Sequence, residues 1–98
     1  MDDRIMTLHP QGKQGVRIDR AKYDVIRDAI LAVLREGGDV RFGGLADTVR
    51  DRLASAFDGS VSWYVTTVKL DLEARGEIER VPGSRPQRLR LAEGQGKV

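Results

Sequence analysis

The hydrophobic rhythm of this chain changes once, and that change constrains the architecture more than any other feature. From Asp19 to Arg75, apart from a short piece around Val40, the apolar residues recur at steps of three and four, and after Gly76 that period is lost and alternation follows. Steps of three and four mark one face of a helix, whereas alternation marks a strand with one buried side. Strict alternation is seen over residues 87–91, and residues 77–81, across Pro82-Gly83-Ser84-Arg85-Pro86, read as its partner strand. Leu89 and Leu91 share one face of the second strand, and Arg88 and Arg90 share the other. These features predict an antiparallel hairpin with Ile78 beside Leu91 and Glu79 beside Arg90. That register sets apolar against apolar and acid against base.

Three helices precede the hairpin. Asp19 is an N-cap for the first, over about residues 20–36, with Tyr23, Ile26, Ile30, Val33 and Leu34 on one face and Gly37-Gly38 as the stop. Val40 and Phe42 suggest a brief strand over residues 39–42. Gly43 and Gly44 open a second helix, over about residues 45–54, that buries Leu45, Val49 and Leu53. Ser60 or Ser62 caps a third, residues 61–75, with Gly76 just past its end. The expected core is Ile26, Ile30, Val33, Leu45, Val49, Val65, Val68, Leu72, Ile78 and Leu89. Residues 1–18 show no helical period and are broken by Pro10, Gly12 and Gly15, so they read as an N-terminal arm. In that arm Ile5, Met6 and Leu8 form a short piece able to dock in extended form. Residues 19–91 form the domain, and residues 92–98 read as a flexible tail.

The resulting α+β order is helix, short strand, helix, helix, hairpin. Within it, Val68-Lys69-Leu70-Asp71-Leu72-Glu73-Ala74-Arg75-Gly76-Glu77-Ile78-Glu79-Arg80 resembles a segment of many bacterial winged helix-turn-helix regulators. It matches the end of their recognition helix and the start of their wing: an apolar residue, a Leu-Glu pair, a Gly, and an Ile followed by Arg. The resemblance covers about residues 19–91. It implies a winged helix-turn-helix with three helices, a short strand and a C-terminal two-stranded β-hairpin wing, and with it DNA binding. The whole chain, arm included, is also similar to a family of small bacterial proteins with no assigned function, which implies the fold and no activity.

Composition removes several alternatives. There is no cysteine, which excludes a disulfide framework and cysteine-ligated metal. His9 is the sole histidine and sits in the arm without a partner for proton transfer, so no enzyme is expected. Gly12-Lys13-Gln14 lacks both the upstream Gly and the following Ser or Thr of a phosphate loop. Asp24 with Asp28, and Asp47 with Asp51, lie one helical turn apart. Arg20, Arg27, Arg50 and Arg52 flank them, as on solvated helix faces rather than at a metal site. The start is acidic, unlike a secretory signal, and the longest apolar run, residues 29–34, is far below the roughly 18 residues of a membrane span. A cytoplasmic protein without cofactor, metal or membrane partner is expected.

The net charge of +2 is unevenly spread. From Arg75 onward six positive side chains face three negative ones, a surplus of +3 that leaves −1 for the remainder. Arg85, Arg88 and Arg90 on the wing are therefore candidate phosphate contacts. Ser62, Thr66, Lys69 and Glu73 form a polar wedge on the third helix with Thr67 beside it, and the Ser and Thr hydroxyls and Lys69 suit phosphates or base edges. Lys13 and Arg17 in the arm are candidates for an adjacent groove. For the helix wedge and the arm, a solvated surface is the ordinary reading. A second apolar stripe, Trp63, Thr67, Leu70 and Ala74, runs nearly opposite Val65 and Val68, and Asp71 and Glu73 add charge that phosphates repel. The stripe calls for cover by the arm, by the hairpin, or by a protein surface that includes Trp63 and Leu70. The leading expectation is a small regulator that binds double-stranded DNA. The alternative is a protein-interaction or homodimerisation module without DNA binding.

Overall fold

Each long helix begins and ends on residues whose chemistry requires it. In the computed structural model, which describes residues 3–13 and 15–92, the Asp19 carboxylate accepts the Lys22 N–H at 3.1 Å and starts α1 (Arg20–Gly37). Gly38, at φ 78°, ends it by donating to the Leu34 carbonyl. The Ser60 hydroxyl accepts the Trp63 N–H and starts α3 (Val61–Ala74). The far end of α3 closes in a Schellman motif: Glu77 N–H bonds the Leu72 carbonyl at 2.9 Å and Gly76 N–H bonds that of Glu73 at 3.1 Å. Gly76 has φ 78°, a left-handed conformation that a Cβ would disfavour.

Between these helices lie β3 (Val40–Arg41) and α2 (Phe42–Leu53). The second helix starts earlier than expected, at Phe42 rather than beyond the glycines. Phe42 N–H is satisfied by the Gln87 carbonyl of the wing, so the helix need not wait for a side-chain cap. Gly43 and Gly44 consequently occupy its first turn, where backbone N–H groups have no intrahelical acceptor.

After α3 come β4 (Ile78–Arg80) and β5 (Arg88–Leu91), which pair antiparallel. Ile78 opposes Leu91 and Glu79 opposes Arg90, the register that hydropathy and charge require. β3 adds to the other edge of β5, with Val40 opposite Leu89, which gives the sheet order β3-β5-β4. The turn at the hairpin tip is tied by Ser84, whose hydroxyl donates to the Val81 carbonyl and accepts the Arg88 N–H.

The three helices and the sheet enclose one core, and all ten residues expected there are buried. Residues read as an arm make a second sheet: β1 (Arg4–Met6) pairs antiparallel with β2 (Arg17–Asp19), with Ile5 opposite Ile18. Ile18 joins the core, which anchors the hairpin to the domain. Thr7, buried beyond β1, both donates to the Val16 carbonyl and accepts the Val16 N–H through its hydroxyl. A Cβ on Gly15 would fall 1.8 Å from the Thr7 carbonyl oxygen, so this close approach admits no side chain. Of the expected tail, residues 93–98 lie outside the described residues. Among the described residues no helix is long and apolar enough to cross a membrane.

Candidate nucleic-acid interface

The inward face of α3 carries Val61, Val65, Val68 and Leu72, all buried. Its outward face carries Ser62, Trp63, Thr66, Thr67 and Leu70, at the three-and-four spacing of one helical side. Lys69, expected in the outward wedge, belongs elsewhere. It is 3% exposed, its ammonium lies 2.8 Å from a Glu73 carboxylate oxygen, and it stands 4.6 Å from the centre of the Phe42 ring. A pairing one turn along the helix, beneath an aromatic cover, removes this cation from the surface.

The same geometry disposes of the repulsion expected from Asp71 and Glu73. Glu73 is held between Lys69 and Arg80, whose Nε lies 2.8 Å away. Asp71 is fully buried and accepts from the Arg75 guanidinium, the Tyr23 hydroxyl and the Leu8 N–H. Burial and the Asp71 hydrogen bond raise the Tyr23 phenol above its ordinary pKa, and the Asp71 bond likewise raises that of Arg75. Neither carboxylate projects from the outward face of α3.

The arm hairpin supplies cover for part of the apolar stripe. Thr7, Leu8, Gly15 and Val16 share a small pocket of about 110 Å³ with Thr67 and Leu70. Leu70 is thereby partly covered. Trp63 is not, contrary to expectation: it remains 47% exposed, because the hairpin crosses the carboxyl half of α3 and stops short of the first turn. Ser62, also in that turn, accepts a hydrogen bond from Arg50 of α2 at 2.8 Å, and Arg50 is paired with Asp47 as well. Thr66 lies exposed one turn on from Ser62.

The wing cations divide into two groups. Arg88 is bound to Asp39 at 2.7 Å and Arg90 to Glu79 at 2.5 Å, so neither is the uncompensated charge that composition suggests. The partner of Arg88 is 49 residues away in sequence, in the loop before β3. The side chain of Arg85, exposed in the wing turn, has no ionic or hydrogen-bonding partner among the described residues, and the same holds for the side chain of Arg41 on β3. The register sets Arg41 opposite Arg88, next to Gln87, and so beside the wing turn that carries Arg85. Arg41 immediately precedes α2, whose first turn holds the exposed Gly43 and Gly44, with nothing within 4 Å of where a Cβ would stand on either. The backbone thus brings two cations without side-chain partners near the amino end of a helix, where the helix dipole favours anions. Sequence reasoning missed Arg41, Gly43 and Gly44. The signal was present as a paired glycine directly after a short strand with no acid in the first turn. In the arm, Lys13 is exposed without a partner among the described residues and Arg17 is exposed on β2, both remote in sequence from the wing cluster.

Among the described residues no group of three or more His, Asp or Glu side chains is arranged to hold a metal ion. Residues 4–89 match the model of a family of unknown function, DUF6958. No curated protein and no solved structure matches the chain.

Proposed function

The chain belongs to this family of unknown function, and we propose that it is a winged helix-turn-helix protein that binds double-stranded DNA, with the role of a small regulator. One observation carries the reading. In sheet order β3-β5-β4, α2 and α3 are inserted in sequence between the outer strands, and the bond from Phe42 N–H to the Gln87 carbonyl holds Arg41 and the amino end of α2 against the strand that follows the wing turn of Arg85. In helix-turn-helix readers the second helix enters the major groove by its first turns while the preceding helix crosses the backbone. Here Ser62, Thr66 and Thr67 supply hydroxyls for base edges, and Trp63 supplies an apolar surface for a thymine methyl. Arg41, Arg85 and the α2 amides meet phosphates. With so few free cations, monomeric binding is weak and strongly salt-dependent.

Fluorescence anisotropy of a labelled duplex, titrated at several salt concentrations, tests the reading. Saturable binding at low salt that weakens with added salt supports it, and no binding at low salt defeats it. A second reading, a protein-interaction module without DNA binding, draws on the exposed indole of Trp63 on the outward face of α3. It takes precedence if the duplex is not bound.

A further inference from the structure

The large apolar side chains left exposed among the described residues fall into two patches. Met6, Leu8 and Val16, at 43, 44 and 41%, belong to the arm hairpin. Val25 and Trp63, at 43 and 47%, flank a different surface at the amino end of α1. There Val25, Leu53 and Phe57 line an open groove of about 370 Å³. The Phe57 ring meets Tyr64 edge-on at 5.1 Å, and Tyr64 meets Trp63 at 5.0 Å, so apolar surface continues from Val25 to the indole. Patches of this kind on a small protein mark sites where another surface docks.

Charge indicates what docks. Asp19 and Asp58 border the groove. The one cation lining it, Lys22, has its ammonium 5.9 and 5.7 Å from the centres of the Phe57 and Tyr64 rings, so the aromatic faces share its charge. Asp58 has no partner among the described residues. The groove is therefore apolar with an acidic rim. The arm hairpin has the complementary character: an apolar surface whose turn carries Lys13, a cation with no partner among the described residues.

We propose that the groove of one copy receives the arm hairpin of a second copy, exchanged reciprocally in a twofold dimer. Met6 and Leu8 enter against Val25 and Phe57, and Lys13 meets Asp58. The hairpin is preorganised for this by the Thr7–Val16 hydrogen bonds and by the bond from Leu8 to Asp71, so docking orders little additional chain. A one-way contact would propagate into an open chain of copies, whereas reciprocal exchange closes it. Closure also makes the second contact intramolecular, which strengthens two small contacts acting together. The proposal does not depend on DNA binding.

Sedimentation velocity of the full chain over a range of concentrations tests it. A monomer–dimer equilibrium is expected. Val25→Asp and Met6→Asp, both at exposed positions, each weaken it by about tenfold or more, while circular dichroism and thermal melting, taken at concentrations where wild type and variant are both monomeric, stay alike. Mixing the two variants gives a heterodimer tighter than either variant alone and weaker than the wild type, because one of its two contacts joins the intact arm of one to the intact groove of the other. A single symmetric face cannot produce that complementation. Lys13→Glu and Asp58→Lys each weaken the dimer, and the two reversals combined restore it. A chain that stays monomeric at every concentration, a dimer indifferent to Val25→Asp, or variants that fail to complement on mixing would overturn the proposal.

Discussion

The backbone N–H of Leu8 donates to Oδ1 of Asp71 at 2.9 Å, across 63 residues of chain. The other carboxylate oxygen accepts the hydroxyl of Tyr23 on α1, and the Arg75 guanidinium lies 3.0 and 2.8 Å from the two. One buried carboxylate thus joins the arm hairpin, α1 and α3, and it does so beside the outward face that the arm partly covers.

Replacing Asp71 by Ala leaves the Leu8 N–H and the Tyr23 hydroxyl without their acceptor. The expected cost is about 1–3 kcal/mol, read from the urea denaturation midpoint. Hydrogen exchange at the Leu8 amide should accelerate beyond that global loss, because the arm is released first. Equal acceleration at Leu8 and in the core would show that the hairpin is not held by this bond.

Tyr23 gives the fold an alkaline limit. Its phenol is raised above the ordinary value by burial first and by the Asp71 bond second. The unfolded chain ionises near pH 10 while the folded chain keeps its proton. Stability from this group is therefore whole below about pH 10 and is lost as pH climbs towards the raised folded value, by up to about 1.4 kcal/mol per pH unit. Tyr23→Phe should flatten that decline, as followed by thermal melting between neutral and strongly alkaline pH.

Leu72 is fully buried between α3 and the rest of the core. Leu72→Ala should cost about 2–5 kcal/mol, a large share of the stability of so small a domain. An unchanged denaturation midpoint would contradict the packing.

For DNA, Arg41→Ala and Arg85→Ala should each flatten the slope of log K against log salt by about 0.9, on every duplex alike. Arg88→Ala should change it less, since Arg88 is already neutralised by Asp39. Lys69→Gln should leave it unchanged, since Lys69 is internal. Thr66→Ala should alter sequence preference and not the slope. A slope that responds to Lys69 and not to Arg85 would reverse the assignment.

What the sequence discloses and what it hides follow the range of each interaction. The caps at Asp19, Ser60 and Gly76, the helical stripes and the pairing of Ile78 with Leu91 are legible because each depends on neighbours or on strict alternation. The β1–β2 hairpin is not, because strands of three residues are too short to show a period. Lys69 reads as a cation of the outward wedge and Glu73 as a charge repelling phosphates, and only the position of Phe42 reveals that the two are enclosed as a pair. Arg88 looks free until Asp39 is brought across from the other edge of the sheet. Candidate cations therefore could be enumerated from composition, but their neutralisation belongs to tertiary structure.

The bond from Leu8 to Asp71 also orders events at the ribosome. The amino-terminal strand emerges first, yet its acceptor is made 63 residues later, so at about 5–20 residues per second the delay is roughly 3–13 s. Throughout that delay the strands of Ile5 and Ile18 have neither the α3 carboxylate nor the finished core to rest on, and a lone two-stranded hairpin is marginal in water. Docking of the arm is then a late step of folding, completed only when α3 has left the exit tunnel. A codon context that slows synthesis between the two segments lengthens the exposure of the very strand that the native protein tucks against α3.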